Sequence, residues 1–322
     1  LNTKGRLLFD SLMYRRDDGK SWLIEVDKSQ LPHLTQHLTQ YKLRAKINIE
    51  PELDKAYRIC SLLCANVDQR DKILTYLLNY PASSLQLTFH LDPRHPLFIR
   101  MILPHDMEGM PIYYRTFYLI CNLSVKFPKS VFVDPLISTE TTASSNSIYK
   151  WFRTVHGIPE GAYESVSESI PLEMNLDVTD GVHFNKGCYL GQELIARSHH
   201  TGVIRKRLLP FIVGSDSQRV VVKPDQLAPE GEDVYRDLDA TTMVPAINSD
   251  ITLINSQEGG DVKTGRVFTT CWNVGFGMCR LEHLSAAAQF QAGASRLGFI
   301  KPSWWSQYLK QQEEVSRSIN AL

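Results

Sequence analysis

No stretch of the chain approaches the roughly 18 consecutive apolar residues that a membrane helix needs, and its first residues hold no charged-then-apolar leader. No membrane insertion is expected. Charge of either sign is also without excess: 35 Lys and Arg stand against 35 Asp and Glu, a formal net charge of +0. A general nucleic-acid binder asks for a basic surface to meet the phosphate backbone, so nucleic acid is not an expected partner. The six cysteines, Cys60, Cys64, Cys121, Cys188, Cys271 and Cys279, lack the short paired spacings of a zinc module or of an iron–sulfur site complete within one chain. Cys60 and Cys64 fall in a segment of strand character, where four residues span about 13 Å, too far for a disulfide. A reducing, intracellular compartment is expected, with five of the six cysteines structural. What remains is ordinary globular material: 322 residues, 43% hydrophobic and 22% charged, enough for two or three modules with buried cores.

Periodicity divides the chain into an α+β series followed by a β region. A turn at Leu1 to Arg6 feeds a strand over Leu7 to Tyr14 with no earlier element to pair it, which implies that an upstream part of the domain is missing. A strand at Trp22 to Val26 and a helix from Ser29 to Tyr41 follow; Ser29 can cap the helix, Pro32 suits its first turn, and Leu31, Leu34, Leu38 and Tyr41 form one stripe. Ala45 to Glu50 alternates as a strand. From Tyr57 the pattern restarts with a strand and a helix opened by Asp68 and stopped by Pro81. Strands are then expected at Leu85 to His90, Leu97 to Leu103 and Tyr113 to Leu123. Ser138 to Ser147 reads as a flexible loop, and Ile148 to His156 as a helix closed by Gly157. After Arg207 the chain reads as β: Leu208 to Val213, a loop-rich interval from Gly214 to Gly231, then Gly265 to Thr270, Gly275 to Leu281 and Arg296 to Ile300. Short strands between Gly and Asp turns read as antiparallel β structure. Three modules are expected at 1–54, 55–207 and 208–322.

The stretch around which the chain is organised is Lys186-Gly187-Cys188-Tyr189-Leu190-Gly191-Gln192-Glu193, running on through Arg197 to Arg205-Lys206-Arg207. It sets one thiol between a cation and two glycines, ahead of a segment with an apolar side at Leu194 and Ile195 and an i,i+4 pair at Glu193 and Arg197. A thiol at a helix start beside a lysine has its thiolate favoured by the macrodipole and the ammonium, which suits a nucleophile or a metal ligand. The glycines let a bulky group approach the backbone. The cluster Lys186, Arg197, Arg205, Lys206 and Arg207 against Glu193 has two readings: a docking surface for an anionic ligand or an acidic protein, or a solvated strand edge. His199-His200 makes no metal site, since adjacent residues diverge.

This motif, with Ala196-Arg197, His200, Gly202 and the basic run after it, resembles the folate-binding YgfZ-type proteins and their mitochondrial relatives, the Iba-type iron–sulfur cluster maturation factors. Both are similar to the wider aminomethyltransferase (T-protein) family. Gly157-Ile158-Pro159-Glu160-Gly161 and Pro171-Leu172-Glu173-Met174-Asn175-Leu176 resemble the same family. The resemblance implies an α+β, T-protein-like fold of several modules, with ferredoxin-like α/β modules and a C-terminal antiparallel β-barrel. It implies a folate-type pocket, with tetrahydrofolate as the ligand, built from Asp10, Glu173, Asn175, Lys186, Gly187, Tyr189, Gln192 and Arg197. It makes Cys188 the metal ligand: one thiolate cannot complete a cluster, so the cluster, of 2Fe–2S type, would be shared with an A-type scaffold protein, with the chain a monomer when cluster-free. The mitochondrial matrix is the implied location. The alternative is a tetrahydrofolate-dependent aminomethyl or C1 transferase in which Asp10 orients the reacting nitrogen; here the family's acidic pair is reduced to Asp10 alone, between Phe9 and Ser11, and an assembly factor is the favoured reading.

Overall fold

A computed structural model describes residues 1–16, 18–51, 56–64, 66–79, 88–104, 142–161, 169–201, 204–214, 244–254, 261–284 and 288–310. The chain divides into two units: Leu1–Asp10, Lys150–Pro224 and Ala228–Leu322 form one, and Ser11–Tyr149 with Asp225–Leu227 the other.

The second unit opens with a two-stranded antiparallel ribbon, β1 (Leu12–Arg15) against β2 (Trp22–Glu25), in the register Met13↔Ile24. The strand expected from Leu7 thus begins only at Leu12, because upstream the chain turns instead. Asn2 Oδ1 accepts both the Lys4 and Arg6 amides, and the Leu7 amide bonds to the Ser169 carbonyl. Helix α1 (Leu31–Tyr41) carries Pro32 in its first turn and buries Leu34. Its expected cap moves upstream: Asp27 accepts the Ser29 amide and caps a short 3-10 turn that runs into the helix. Ala45 to Glu50 has the alternation of a strand but no hydrogen-bonded strand partner among the described residues, and lies mostly exposed.

Strand β3 (Tyr57–Leu63), helix α2 (Val67–Asn79), β4 (Thr88–Leu91) and β5 (Phe98–Pro104) follow, and the strands form an antiparallel sheet in the order β3-β5-β4. Asn66, whose side chain accepts the Gln69 amide, opens α2 one residue before its first turn. Leu62, Leu63, Phe98, Ile99 and Met101 are buried in this unit. Beside them lies a charged network: Asp92 pairs with Arg94 at 2.7 Å and with Arg100 at 3.3 Å, and Arg100 reaches Glu25 at 3.2 Å. Burial alone would raise the Asp92 carboxyl, but the two guanidiniums overcome it and hold the carboxyl below its ordinary range.

Helix α3 (Thr142–Val155) begins inside the Ser/Thr-rich stretch expected to be a loop. The stretch's low helix propensity is overridden by the apolar face downstream, where Trp151 and Val155 are buried. The helix closes as expected at Gly157, with φ +72°, while the Ile158 amide reaches back to the Arg153 carbonyl.

The first unit is built on a closed six-stranded antiparallel barrel, the fold expected for the end of the chain. Its strands are β6 (Lys206–Val213), β7 (Asp250–Ile254), β8 (Val262–Cys271), β9 (Val274–Arg280), β10 (Gln289–Ala292) and β11 (Ser295–Phe299), in the order β10-β11-β6-β9-β8-β7. Closure removes the free edges that short strands would otherwise expose. Leu209, Phe211, Ile251, Val267, Phe290 and Leu297 fill the interior, and Trp304 and Tyr308 join this cluster from beyond β11. Pro81, the strand expected at Tyr113 to Leu123 and all of the loop-rich interval after Gly214, residues 215–231, lie outside the described residues.

Candidate functional site

The motif begins in an extended loop, and the helix after it, α4 (Gln192–Thr201), starts at Gln192. Cys188 therefore precedes the first helical residue by four positions, a correction to the expectation of a thiol at the helix start. The turn between them is closed locally: the Gln192 amide donates to the Tyr189 carbonyl at 3.2 Å, and the Tyr189 amide donates to Gln192 Oε1 at 3.4 Å. The Lys186 ammonium lies 4.5 Å from the centroid of the Tyr189 ring, a cation–π contact. The Glu193–Arg197 pair forms at 2.8 Å, exposed on both sides and worth at most about 0.5 kcal/mol.

A contact that sequence spacing does not announce holds the loop in place. Gly5 and Gly191 both have positive φ, +73° and +78°, and their backbones touch. A Cβ on Gly191 would lie 2.6 Å from Gly5 Cα, and one on Gly5 would lie 2.7 Å from the Gly191 carbonyl oxygen. The turn at Asn2 to Arg6 is thus packed onto the end of the motif. Phe184 stacks on the ring of His199 of α4 at 3.6 Å and 11°, tying the entry of the loop to the helix. Gly187 differs from Gly5 and Gly191: a Cβ there meets nothing within 4 Å, and the residue is exposed.

Cys188 is exposed, whereas Cys64 and Cys279 are buried and Cys271 is intermediate. Burial pushes the Cys64 thiol up to about 12 and the Cys279 thiol well above its ordinary range, so neither supplies a thiolate at neutral pH. Among the described residues no group of three or more His, Cys, Asp or Glu side chains is placed to hold a metal ion.

The carboxylates and the basic run sort differently from their order in the chain. Asp10 is half-buried, and its Oδ1 accepts the Gly161 amide at 3.0 Å, which ties it to the Gly157–Gly161 stretch. It lies in irregular chain, not in a strand. Glu173 is half-buried between the fully buried Leu172 and Met174; burial raises its carboxyl, against the pull of Lys206, 3.7 Å away, and of Arg6. Asn175 has left-handed backbone, φ 64°, and no exposure. Its amide donates to the carbonyls of Gly157 and Leu208 at 2.9 and 2.8 Å, and its oxygen accepts from Arg207 at 3.3 Å. Both donors of the buried Asn175 amide are taken, and the strap from Pro171 to Leu176 is pinned through it to β6 and to the end of α3.

Arg205-Lys206-Arg207 is not one surface, so neither reading of that run, docking surface or solvated edge, holds for all three residues. Arg205 and Lys206 are exposed, but Arg207 turns inward with no exposure. Its guanidinium grips Asp177 with both terminal nitrogens, at 2.8 and 2.6 Å, and its Cζ lies 4.2 Å from the Tyr308 ring centroid. Burial would lower the Arg207 pKa, but the Asp177 carboxylate outweighs it and raises the value. Asp177 and Tyr308 are residues that sequence reasoning did not single out. They lie 30 positions upstream and about 100 downstream of Arg207, beyond any local spacing rule.

An α+β protein with a closed antiparallel barrel and, among the described residues, an exposed cysteine on a Gly-containing loop is the class that these features define, and the comparisons agree. Residues 205–307 match the family model described as CAF17, C-terminal beta-barrel domain. The chain is 32% identical over 300 residues to a protein of Aspergillus oryzae named as an iron-sulfur cluster assembly factor, IBA57 homolog, mitochondrial, covering 88% of this chain and 60% of that protein. Proteins of the same name from Coccidioides immitis and Neurospora crassa are 33% identical over 297 residues and 30% over 292. Each match covers 88% of this chain, and 61% and 60% of those proteins. Over most of its length the chain is similar to these IBA57 homologs, and its barrel is similar to the CAF17 C-terminal domain. The chain spans about 60% of the length of the curated relatives that it matches.

Proposed function

We propose that the chain serves in iron–sulfur cluster assembly in the mitochondrion, as the names of its relatives say of them, with Cys188 lending one thiolate to a 2Fe–2S cluster in transit. The observation that carries this reading is the placement of Cys188. It is exposed on a loop anchored by the Gly5–Gly191 contact, while the buried thiols of Cys64 and Cys279 are held protonated. One thiolate is a quarter of the usual ligand set, so the remaining ligands come from a partner of the A-type scaffold class, and the cluster bridges the two proteins. The chain is then a carrier surface, and a monomer when the cluster is absent.

A folate-type pocket belongs to the same proposal in reduced form. Glu173 is a half-buried carboxyl whose raised pKa suits a hydrogen bond to a polar heterocycle, and Asp10, bonded to the Gly161 amide, is a further half-buried carboxylate of this unit. Asn175 is not part of the pocket, since its amide is consumed by Gly157, Leu208 and Arg207. The test is anaerobic mixing of the chain with a cluster-loaded A-type scaffold protein, followed by size-exclusion chromatography at visible wavelengths. Co-elution of both proteins with cluster absorbance supports the reading. Separate elution, with all colour on the scaffold protein, overturns it.

A further inference from the structure

The face around the motif carries more positive charge than the fold can use. Lys4 and Lys186 are exposed and Arg6 is half-buried, and no carboxylate among the described residues lies within ion-pairing distance of any of the three. The next cation, Lys206, is exposed and only loosely paired, 3.7 Å from Glu173. These residues come from three separate parts of the chain and are brought together by the fold. The Gly5–Gly191 contact places Lys4 and Arg6 on either side of the residue that touches the motif. Lys186 sits over Tyr189 within the motif. Arg6 and Lys206 both act on the one Glu173 carboxyl, which burial has already made reluctant to ionise. Elsewhere on the same unit Arg197, Lys263 and Arg280 are neutralised by Glu193, Asp250 and Glu282 at 2.8, 2.7 and 3.2 Å.

Cations held near one another repel, and an acidic group from outside the chain relieves that repulsion. A second observation points to close approach by a partner at the same place. Gly187, between Lys186 and Cys188, has open space where a Cβ would stand, so no contact within the described residues requires a glycine there. The open space leaves room for a partner backbone to lie against the loop.

We infer that this face is a docking surface for a protein partner with an acidic patch, which Lys4, Arg6, Lys186 and Lys206 steer onto the Cys188 loop. The inference deepens the cluster-sharing reading and rests on it for its purpose, but the attraction itself needs neither cluster nor thiol. Docking is then fast at low ionic strength, weakened by salt, and governed by charges that ligate nothing.

A fluorescein-labelled decapeptide of aspartates serves as the probe. It is expected to bind the wild-type chain and Cys188→Ser alike at low salt, to lose affinity as ionic strength rises, and to slow alkylation of Cys188 in the wild-type chain. Lys4→Glu combined with Lys186→Glu should weaken binding at least tenfold, and the neutral pair Lys4→Gln and Lys186→Gln should weaken it by less. The same number of reversals at the exposed Lys20 and Lys310 should leave binding unchanged. Equal affinity of the Lys4/Lys186 variants and the wild type, or absence of Cys188 protection, overturns the inference. So does displacement of the peptide by a polyglutamyl folate at far lower concentration, which assigns the cations to a folate tail. A cluster lost in Cys188→Ser alongside unaffected peptide binding in the lysine variants would sink the docking surface alone. A cluster retained in Cys188→Ser would sink the ligand assignment alone.

Discussion

Arg207 and Asp177 meet as a two-pronged ion pair, 2.8 and 2.6 Å, with Arg207 fully buried at the start of β6 and Tyr308 over its guanidinium. The pair joins the strap that carries Glu173 and Asn175 to the barrel that carries Lys206, so the geometry of the candidate site depends on it. Breaking such a pair leaves a buried charge uncompensated, at a cost of about 3–5 kcal/mol. Asp177→Asn should therefore lower the urea midpoint sharply, while Asp177→Leu with Arg207→Met should recover most of the loss. A double variant no more stable than the single one would show that the pair's charge is not what its loss exposes.

The glycines of the motif divide into two kinds, and stability measurements should separate them. Gly191→Ala forces an L-residue into φ +78° and drives a Cβ to 2.6 Å from the Gly5 backbone. The left-handed conformation alone costs about 1–2 kcal/mol, and the clash adds to it. Gly187→Ala should stay within about 0.5 kcal/mol of the wild type, as a surface change does. Equal denaturation curves for the two variants would remove the distinction.

Glu173 and Asp92 should give opposite pH signatures. The Glu173 carboxyl is raised by burial, so its contribution to stability is fully present below the ordinary value of 4.5 and is lost as pH rises through the higher folded value. Glu173→Gln should thus stabilise the protein at neutral pH and lose that advantage in acid. Asp92 is held below 3.8 by Arg94 and Arg100, although burial opposes them. Its contribution is present above 3.8 and falls away as pH drops, and Asp92→Asn should destabilise at neutral pH and converge on wild type in acid. Thermal melts from acid to neutral pH would show both trends, and a Glu173→Gln variant less stable than wild type at neutral pH would contradict the first.

Alkylation followed by mass spectrometry should rank the thiols by burial. Cys188 should react in the native protein, with Cys64 and Cys279 modified only on unfolding. Native-state labelling of Cys279 at the rate of Cys188 would contradict the barrel packing.

Local rules carried some elements and not others. Helix α1 was legible from Pro32 and the Leu31, Leu34, Leu38 stripe; the short strands between turn residues were legible as β, and their closure into a barrel came from the family resemblance. Residues 142–147 read as loop because Ser, Thr and Asn propensities are local, whereas the helix there is set by apolar positions further along. Ala45 to Glu50 alternates as strands do, but a strand needs a partner, and pairing is not written in one segment. The largest difference lies in Arg205-Lys206-Arg207. Three adjacent cations look alike in sequence, and only the strand's alternation together with Asp177, thirty residues away, sends Arg207 inward. The motif itself was legible as a loop before a helix, but the Gly5 turn that anchors it is 186 positions distant from Gly191 and left no local trace.

The central claim is that Cys188 ligates a cluster shared with a partner, and the most direct measurement is the visible absorption of the mixture made with wild-type and with Cys188→Ser protein. The account predicts that the variant keeps the wild-type far-ultraviolet circular dichroism but forms no stable coloured complex, because serine nearly matches cysteine in size and is a poor ligand for iron. An unchanged visible spectrum and an unchanged complex in the variant would contradict it.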